Sequence, residues 1–283
     1  MEYVVVVRGG GDLATGVIWR LHQSGFKVIC LEAPSPTVIR RTVSAAQAVF
    51  NGYARVEGVN FLLMEPGRFP EDCETVPVWI DPNGKSIDWV KPYCVVDAIM
   101  AKRNEGTHIG MAPLVGALGP GFVAGKDVHF VVETLRGHYL GRVIYKGSAI
   151  PNTGVPGEIS KETERRILRS PGRGRFRNIR EIGDSVQEGE VVGYVEDIPV
   201  ITRISGVLRG IIHPSVVVAE GMKIGDVDPR NEIKHCFTIS DKALAIAGGV
   251  LEAIIASLAQ YVNLNLSIYN TNCLFKKINV RNV

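Results

Sequence analysis

Two groups of residues have types and spacing suited to chemistry. The first is Gly9-Gly10-Gly11-Asp12-Leu13-Ala14, which directly follows the strand-like run Val4-Val5-Val6-Val7. Gly9, Gly11 and Ala14 fit the G-x-G-x-x-G/A spacing of a phosphate-binding turn. Small residues there let the backbone turn tightly and approach a pyrophosphate, and the amides of the next helix face the anion. Glu32 stands about 20 residues further on, at the end of a second apolar run, where a carboxylate grips a ribose diol. The plain alternative is a glycine turn that only joins a strand to a helix. The second group lies between Glu133 and Glu158 and offers Arg136, His138, Asn152 and Thr153. An arginine can hold a phosphate or carboxylate with two hydrogen bonds, and a histidine can move a proton near neutral pH. The plain alternative makes Asn152-Thr153-Gly154 a turn and His138 a surface residue. Both alternatives stay open on the sequence.

The elements that must position these residues alternate. Val17, Ile18 and Leu21 mark a helix after the glycine turn. Val28–Leu31, Val76–Ile80, Cys94–Ile99 and Val128–Thr134 read as buried strands. Such alternation predicts an α/β unit over 1–160, a Rossmann-like doubly wound parallel sheet binding a nucleotide. Both chemical groups then follow strand ends on one sheet, which places a cleft between the glycine turn and the 133–158 block.

The next segment repeats itself. Shifted by 32 residues, Gly174, Arg177, Ile179, Val186, Glu188, Gly189, Gly193 and Val195 fall on Gly206, Arg209, Ile211, Val218, Glu220, Gly221, Gly225 and Val227. Neither copy can bury its apolar face alone, so the two must pack together. Residues 161–232 are therefore expected to form a small all-β barrel-sandwich hybrid, similar to biotinyl and lipoyl domains. The hairpin Val195–Val200 holds no lysine, so no carrier function follows. The arginine run from Arg165 to Arg180 lies largely inside the first copy and has no nucleic-acid motif beside it, so a nucleic-acid partner is not expected. Residues 233–283 read as a helix from Asp241 to about Gln260, N-capped by Ser240 and packing on the first unit, then a loose tail. Gly248-Gly249 inside that helix implies a close backbone approach.

Composition is that of an ordinary globular chain: 46% hydrophobic, 22% charged, net charge +3. Nothing at the N-terminus reads as a signal peptide, and the apolar stretch 243–259 reads as a buried helix, not a membrane span. The five cysteines show no zinc spacing, so no metal is expected, and a reduced cytoplasmic setting follows. A homo-oligomer is compatible with all of this.

The turn Arg8–Gly16, the segment Gly119-Pro120-Gly121-Phe122, the block Glu133–Glu158 and Lys223–Arg230 together resemble the YqeB family, accessory proteins of the selenium-dependent molybdenum hydroxylase system. The first unit also resembles the Rossmann part of XdhC-type proteins, which bind molybdenum cofactor and help to insert it into xanthine dehydrogenase. The resemblance covers residues 1 to about 260. It implies a maturation factor whose ligand is a dinucleotide form of the molybdenum cofactor and whose partner is the hydroxylase apoenzyme. It assigns no catalytic residue. The glycine fingerprint alone is equally met by NAD, which leaves an NAD-dependent oxidoreductase, with His138 as base, and a non-catalytic nucleotide sensor as alternatives.

Overall fold

The valines of β1 (Val4–Arg8) are buried on both sides of a sheet. Val5 and Val7 face one apolar cluster and Val6 another, as expected of a strand flanked by parallel neighbours. The computed structural model describes residues 3–101, 103–152, 154, 158–160 and 162–269, from 261 onward by backbone only. Thr153 and Lys102 lie outside the described residues. After β1 come α1 (Asp12–Gln23), β2 (Lys27–Glu32), α2 (Gln47–Asn51), β3 (Tyr53–Val56), β4 (Val59–Leu63) and β5 (Thr75–Ile80). The unit continues with α3 (Ile87–Val90), β6 (Cys94–Asp97), β7 (Leu114–Leu118), β8 (Phe130–Val132) and β9 (Val143–Ile144). These nine strands form one sheet in the order β3-β4-β5-β2-β1-β6-β7-β8-β9.

The expectation of a Rossmann-like doubly wound parallel sheet is corrected by this topology. The sheet is mixed: β3 runs antiparallel to β4, and β9 antiparallel to β8. Long helices cover only one face. There α1 and a later helix, α4 (Asp241–Tyr269), bury Val17, Ile18, Leu21, Ile246, Val250 and Ile254 against Val5, Val7 and Val96. The opposite face carries Trp79, Val95, Val115 and Val131. It is closed by Phe122, Ala124 and Ala149 from connecting segments and by Ile87 of the four-residue α3. Among the described residues, the strands from β6 to β9 follow one another without a crossover α-helix.

The second unit holds β10 (Ile167–Arg169), β11 (Gly174–Asn178), β12 (Ser185–Val186), β13 (Val191–Val195), β14 (Ile198–Ile201), β15 (Gly206–Ile211), β16 (Val217–Val218) and β17 (Lys223–Asp228). In place of the expected barrel-sandwich hybrid we describe two four-stranded sheets, β10-β17-β15-β12 and β14-β13-β11-β16, whose pairings are antiparallel. They share a core of Leu168, Phe176, Val192, Val195, Leu208, Ile211, Ile224 and Val227. The 32-residue shift carries β11 onto β15, β12 onto β16 and β13 onto β17. Gly189 and Gly221 occupy matching turns, with φ of +84° and +72°.

Residues 39–42 tie the two units together. Ile211 donates its amide to the Ile39 carbonyl at 2.9 Å, and Arg41 Nε donates to the Ile211 carbonyl at 2.8 Å. Thr42 Oγ1 donates to the Cys236 carbonyl at 2.5 Å. Helix α4 then returns to the first unit. Gly249 packs so closely on the Gly141 carbonyl that no side chain would fit there. The helix continues past Gln260 to Tyr269, so the first part of the segment expected as a loose tail is helical. Its stretch 241–260 is long and apolar enough to cross a membrane, but Ala243, Ile246, Ala247, Val250, Ala253 and Ile254 are buried against the sheet and α1.

Candidate functional site

A cleft of about 870 Å³ opens where the two units meet. Its first wall is the start of α1, with Asp12 and Leu13. Its second is the segment after β8, with Thr134, Leu135 and Arg136. The loop from Ser148 to Asn152, with Gly154, forms a third wall, and the start of α4, with Ser240 and Lys242, a fourth. The second unit contributes Arg166 and Arg209, and the tie segment contributes Arg40.

Each wall has a local cause. Glu133, 2% exposed, clips two of the loops together. Its Oε1 accepts the amides of Thr134 and Leu135, both at 2.7 Å, and its Oε2 accepts that of Ile150 at 2.8 Å. Gly119 has φ +72° and abuts Thr134, so the end of β7 can pass close to the end of β8. Both long helices point their N-termini at the cleft. Each begins with an aspartate held by an arginine from another element: Asp12 by Arg40 at 3.2 Å and Asp241 by Arg136 at 3.0 and 3.2 Å.

The electrostatics favour an anion. On the second-unit side, Asp226 is 1% exposed and accepts from Arg166 and, at 2.7 Å, from Arg209. Asp228 accepts from Arg209 at 3.3 Å and from Arg230 at 2.6 Å. Lys223 joins this network as a fourth cation. It is exposed at the start of β17. Four cations thus face two carboxylates. At the start of α4, Arg136 and Lys242 face Asp241. Among the described residues Lys242 makes no ion pair, and burial together with the Arg136 charge lowers its pKa.

The glycine turn has another occupant. A Cβ on Gly9 would lie 2.8 Å from the Ala98 carbonyl oxygen, and one on Gly10 would lie 2.8 Å from the Ala46 amide nitrogen. Ala46 donates its amide to the Gly10 carbonyl at 2.9 Å, and Ala45 donates to Thr15 Oγ1 at 2.8 Å. The close backbone approach that these glycines permit is made by the chain itself. Glu32 is engaged in the same way: its Oε2 accepts the Gly10 amide and its Oε1 the Ala33 amide, both at 2.7 Å. Its carboxyl is pushed up by burial, against those two bonds. Gly9, Gly10 and Glu32 are thus engaged within the chain, whereas a Cβ on Gly11 would meet nothing closer than Val38 Cγ1 at 3.6 Å. Gly11 and Ala14 serve α1, as N-cap and buried helix residue.

Of the second predicted group, Arg136 and Asn152 line the cleft. The Asn152 side chain accepts the Gly154 amide at 2.9 Å and so shapes its own turn. His138 is exposed, lies edge-on to Tyr139 at 5.2 Å, and is not among the cleft residues. The sequence reading did not single out Arg40, Arg209 or Lys242 as site residues. Arg209 was visible only as a repeat position. Lys242 carried one signal, a cation in the first turn of a helix, where the dipole disfavours it.

No family model matches the chain. Its sequence is 49% identical over 262 residues, 92% of the chain, to a curated relative from Escherichia coli (strain K12), the uncharacterized protein YqeB. Across those residues the chain belongs to the YqeB family. It spans about half, 48%, of that relative's length. Among solved structures, an aspartoacylase family protein of Mesorhizobium loti aligns at 13% identity over 80% of this chain and 85% of its own, with a TM-score of 0.27. A succinylglutamate desuccinylase from Silicibacter aligns at 14% identity over 80% and 84%, with a TM-score of 0.24. Overlays this loose carry no argument about chemistry. With the mixed sheet in place of a Rossmann unit, the reading as a Rossmann molybdenum-cofactor protein with a barrel-sandwich hybrid is withdrawn.

Proposed function

We propose that this chain binds a small anionic metabolite, bearing carboxylate or phosphate groups, in the cleft between its two units. One observation carries the reading: the N-termini of α1 and α4 converge on a cleft whose walls hold more cations than carboxylates. Helix N-termini favour negative charge, and arginine and lysine add charge-assisted hydrogen bonds. Lys242, without an ion pair of its own, is the cation most available to a ligand. The role of accessory factor to a selenium-dependent molybdenum hydroxylase, with that apoenzyme as partner, rests on the family resemblance of the quoted motifs. It is compatible with a ligand-binding protein that does no chemistry of its own. We place the chain in the cytoplasm, in keeping with Cys30, Cys73, Cys94 and Cys236 all being free thiols.

Thermal-shift and calorimetric titrations with inorganic phosphate, pyrophosphate and citrate test the binding. One lost charge-assisted contact is worth about 1.5–3 kcal/mol, so Lys242→Met should weaken the best of these about tenfold to a hundredfold. If none of the three binds the wild-type protein, the cleft is not an anion site. Metal and selenium content of a hydroxylase purified from cells lacking this protein tests the partner, and full loading there defeats the accessory role.

A further inference from the structure

We propose that Lys242 is a nucleophilic amine that condenses with the carbonyl of a 2-oxo acid whose carboxylate lies against Arg136. This rests on the anion-binding reading of the cleft and narrows its ligand class.

The placement of Lys242 carries the inference. It stands in the first turn of α4, where the helix dipole disfavours an ammonium ion. It lines the cleft with Arg136, a permanent cation. The charged groups facing it are Asp12 from α1, Glu133 and Arg136 from the segment after β8, and Asp241 on its own helix. Each of the three carboxylates already has other partners. Asp12 holds Arg40, Asp241 holds Arg136, and Glu133 holds the amides of Thr134, Leu135 and Ile150. None of the three forms an ion pair with Lys242 among the described residues. A lysine that is partly desolvated and set beside a cation is activated as a nucleophile. Burial and Arg136 both lower its pKa, in agreement. An amine on one wall and an arginine on another, tied together by the Asp241–Arg136 pair, suit a molecule with a carboxylate next to a carbonyl.

In the reaction, the amine nitrogen forms a bond to the carbonyl carbon. The carbonyl electron pair moves to oxygen, which takes up the proton the nitrogen gives up. That hydroxyl then accepts a second proton, from solvent, and leaves as water. A protonated imine remains on Lys242.

The test uses the full chain with pyruvate and sodium borohydride, whose hydride reduces the imine to a stable secondary amine. Intact mass and peptide mapping should show one adduct, on Lys242, adding the mass of pyruvic acid less one oxygen. Lys242→Arg, which keeps the charge, should lose the adduct but keep the rise in Tm that pyruvate gives. If pyruvate raises Tm and no adduct forms, the amine proposal fails and the anion cleft stands. If labelling spreads equally over other lysines in both proteins, the amine proposal also fails. If the wild-type protein shows neither adduct nor shift, the amine proposal is overturned, and phosphate, pyrophosphate and citrate decide the cleft separately.

Discussion

Gly16 on α1 meets Ala243 on α4 so closely that a Cβ on Gly16 would lie 2.8 Å from that of Ala243. This contact lets the two helices that head the cleft lie side by side, with both N-termini at one cleft. A large side chain at Gly16 must push them apart. Gly16→Leu should cost about 1–3 kcal/mol or more by overpacking, despite leucine's better helix propensity. Denaturant unfolding measures the loss. A variant as stable as wild type would show that α1 and α4 do not pack this way.

Asp226 predicts a different kind of sensitivity. It is buried between Arg166 and Arg209, and its removal takes from both guanidinium groups a buried carboxylate that they share, leaving Arg209 with Asp228 at 3.3 Å. Breaking a buried pair from one side costs about 3–5 kcal/mol. Asp226→Ala should approach that, whereas Glu188→Ala, which removes an exposed partner of Arg165, should cost about 1 kcal/mol or less. Equal losses in chemical denaturation would contradict the buried network.

How much of this was legible depended on the physical signal at each residue. The 32-residue correspondence was legible because Gly189 and Gly221 both need a left-handed backbone that other residues resist. The Gly248-Gly249 pair likewise marked a close approach, which Gly249 makes on Gly141. The mixed sheet was hidden. Its antiparallel edge turns on Glu57-Gly58, two residues at φ 43° and 88° joining β3 to β4, and only the glycine hints at this. Strand β9 has two residues, too few for any periodicity. At the glycine turn, spacing shows that backbone comes close to something but not to what; at Gly10 it is Ala46. Arg40 and Arg209 reach the cleft only because the second unit docks on residues 39–42, a long-range contact with no local pattern.

The histidines set a pH dependence. His129 has its pKa lowered by burial from an ordinary 6.5, and its Nδ1 accepts the Val115 amide at 2.9 Å, which an unprotonated nitrogen alone can do. His22 and His213 are lowered too, each chiefly by burial. A lowered folded pKa means that the unfolded chain binds the proton more readily. This stability is present above the unfolded value near 6.5 and is lost as pH falls through it. Unfolding free energy should fall between pH 7.5 and 5.5. His129→Ala should be less stable at pH 7.5, because the Val115 amide loses its acceptor, yet show a shallower decline. An unchanged slope would remove His129 from the account.

The internal repeat makes a prediction of its own. Gly189 and Gly221 sit at positive φ with open space where a Cβ would stand, so alanine meets no clash at either position and only the strain of a left-handed backbone. That strain is worth about 1–2 kcal/mol. The two amides bond to different partners, Gly189 to the Thr202 carbonyl and Gly221 to the Ser170 carbonyl, both at 2.9 Å. With no shared partner, the two effects should be alike in size and additive to within about 0.5 kcal/mol. Gly189→Ala, Gly221→Ala and the double variant, compared by urea denaturation, measure this. If one substitution is neutral while the other is costly, the two turns are not equivalent, and the correspondence between β12–β13 and β16–β17 is a likeness of sequence without a likeness of structure.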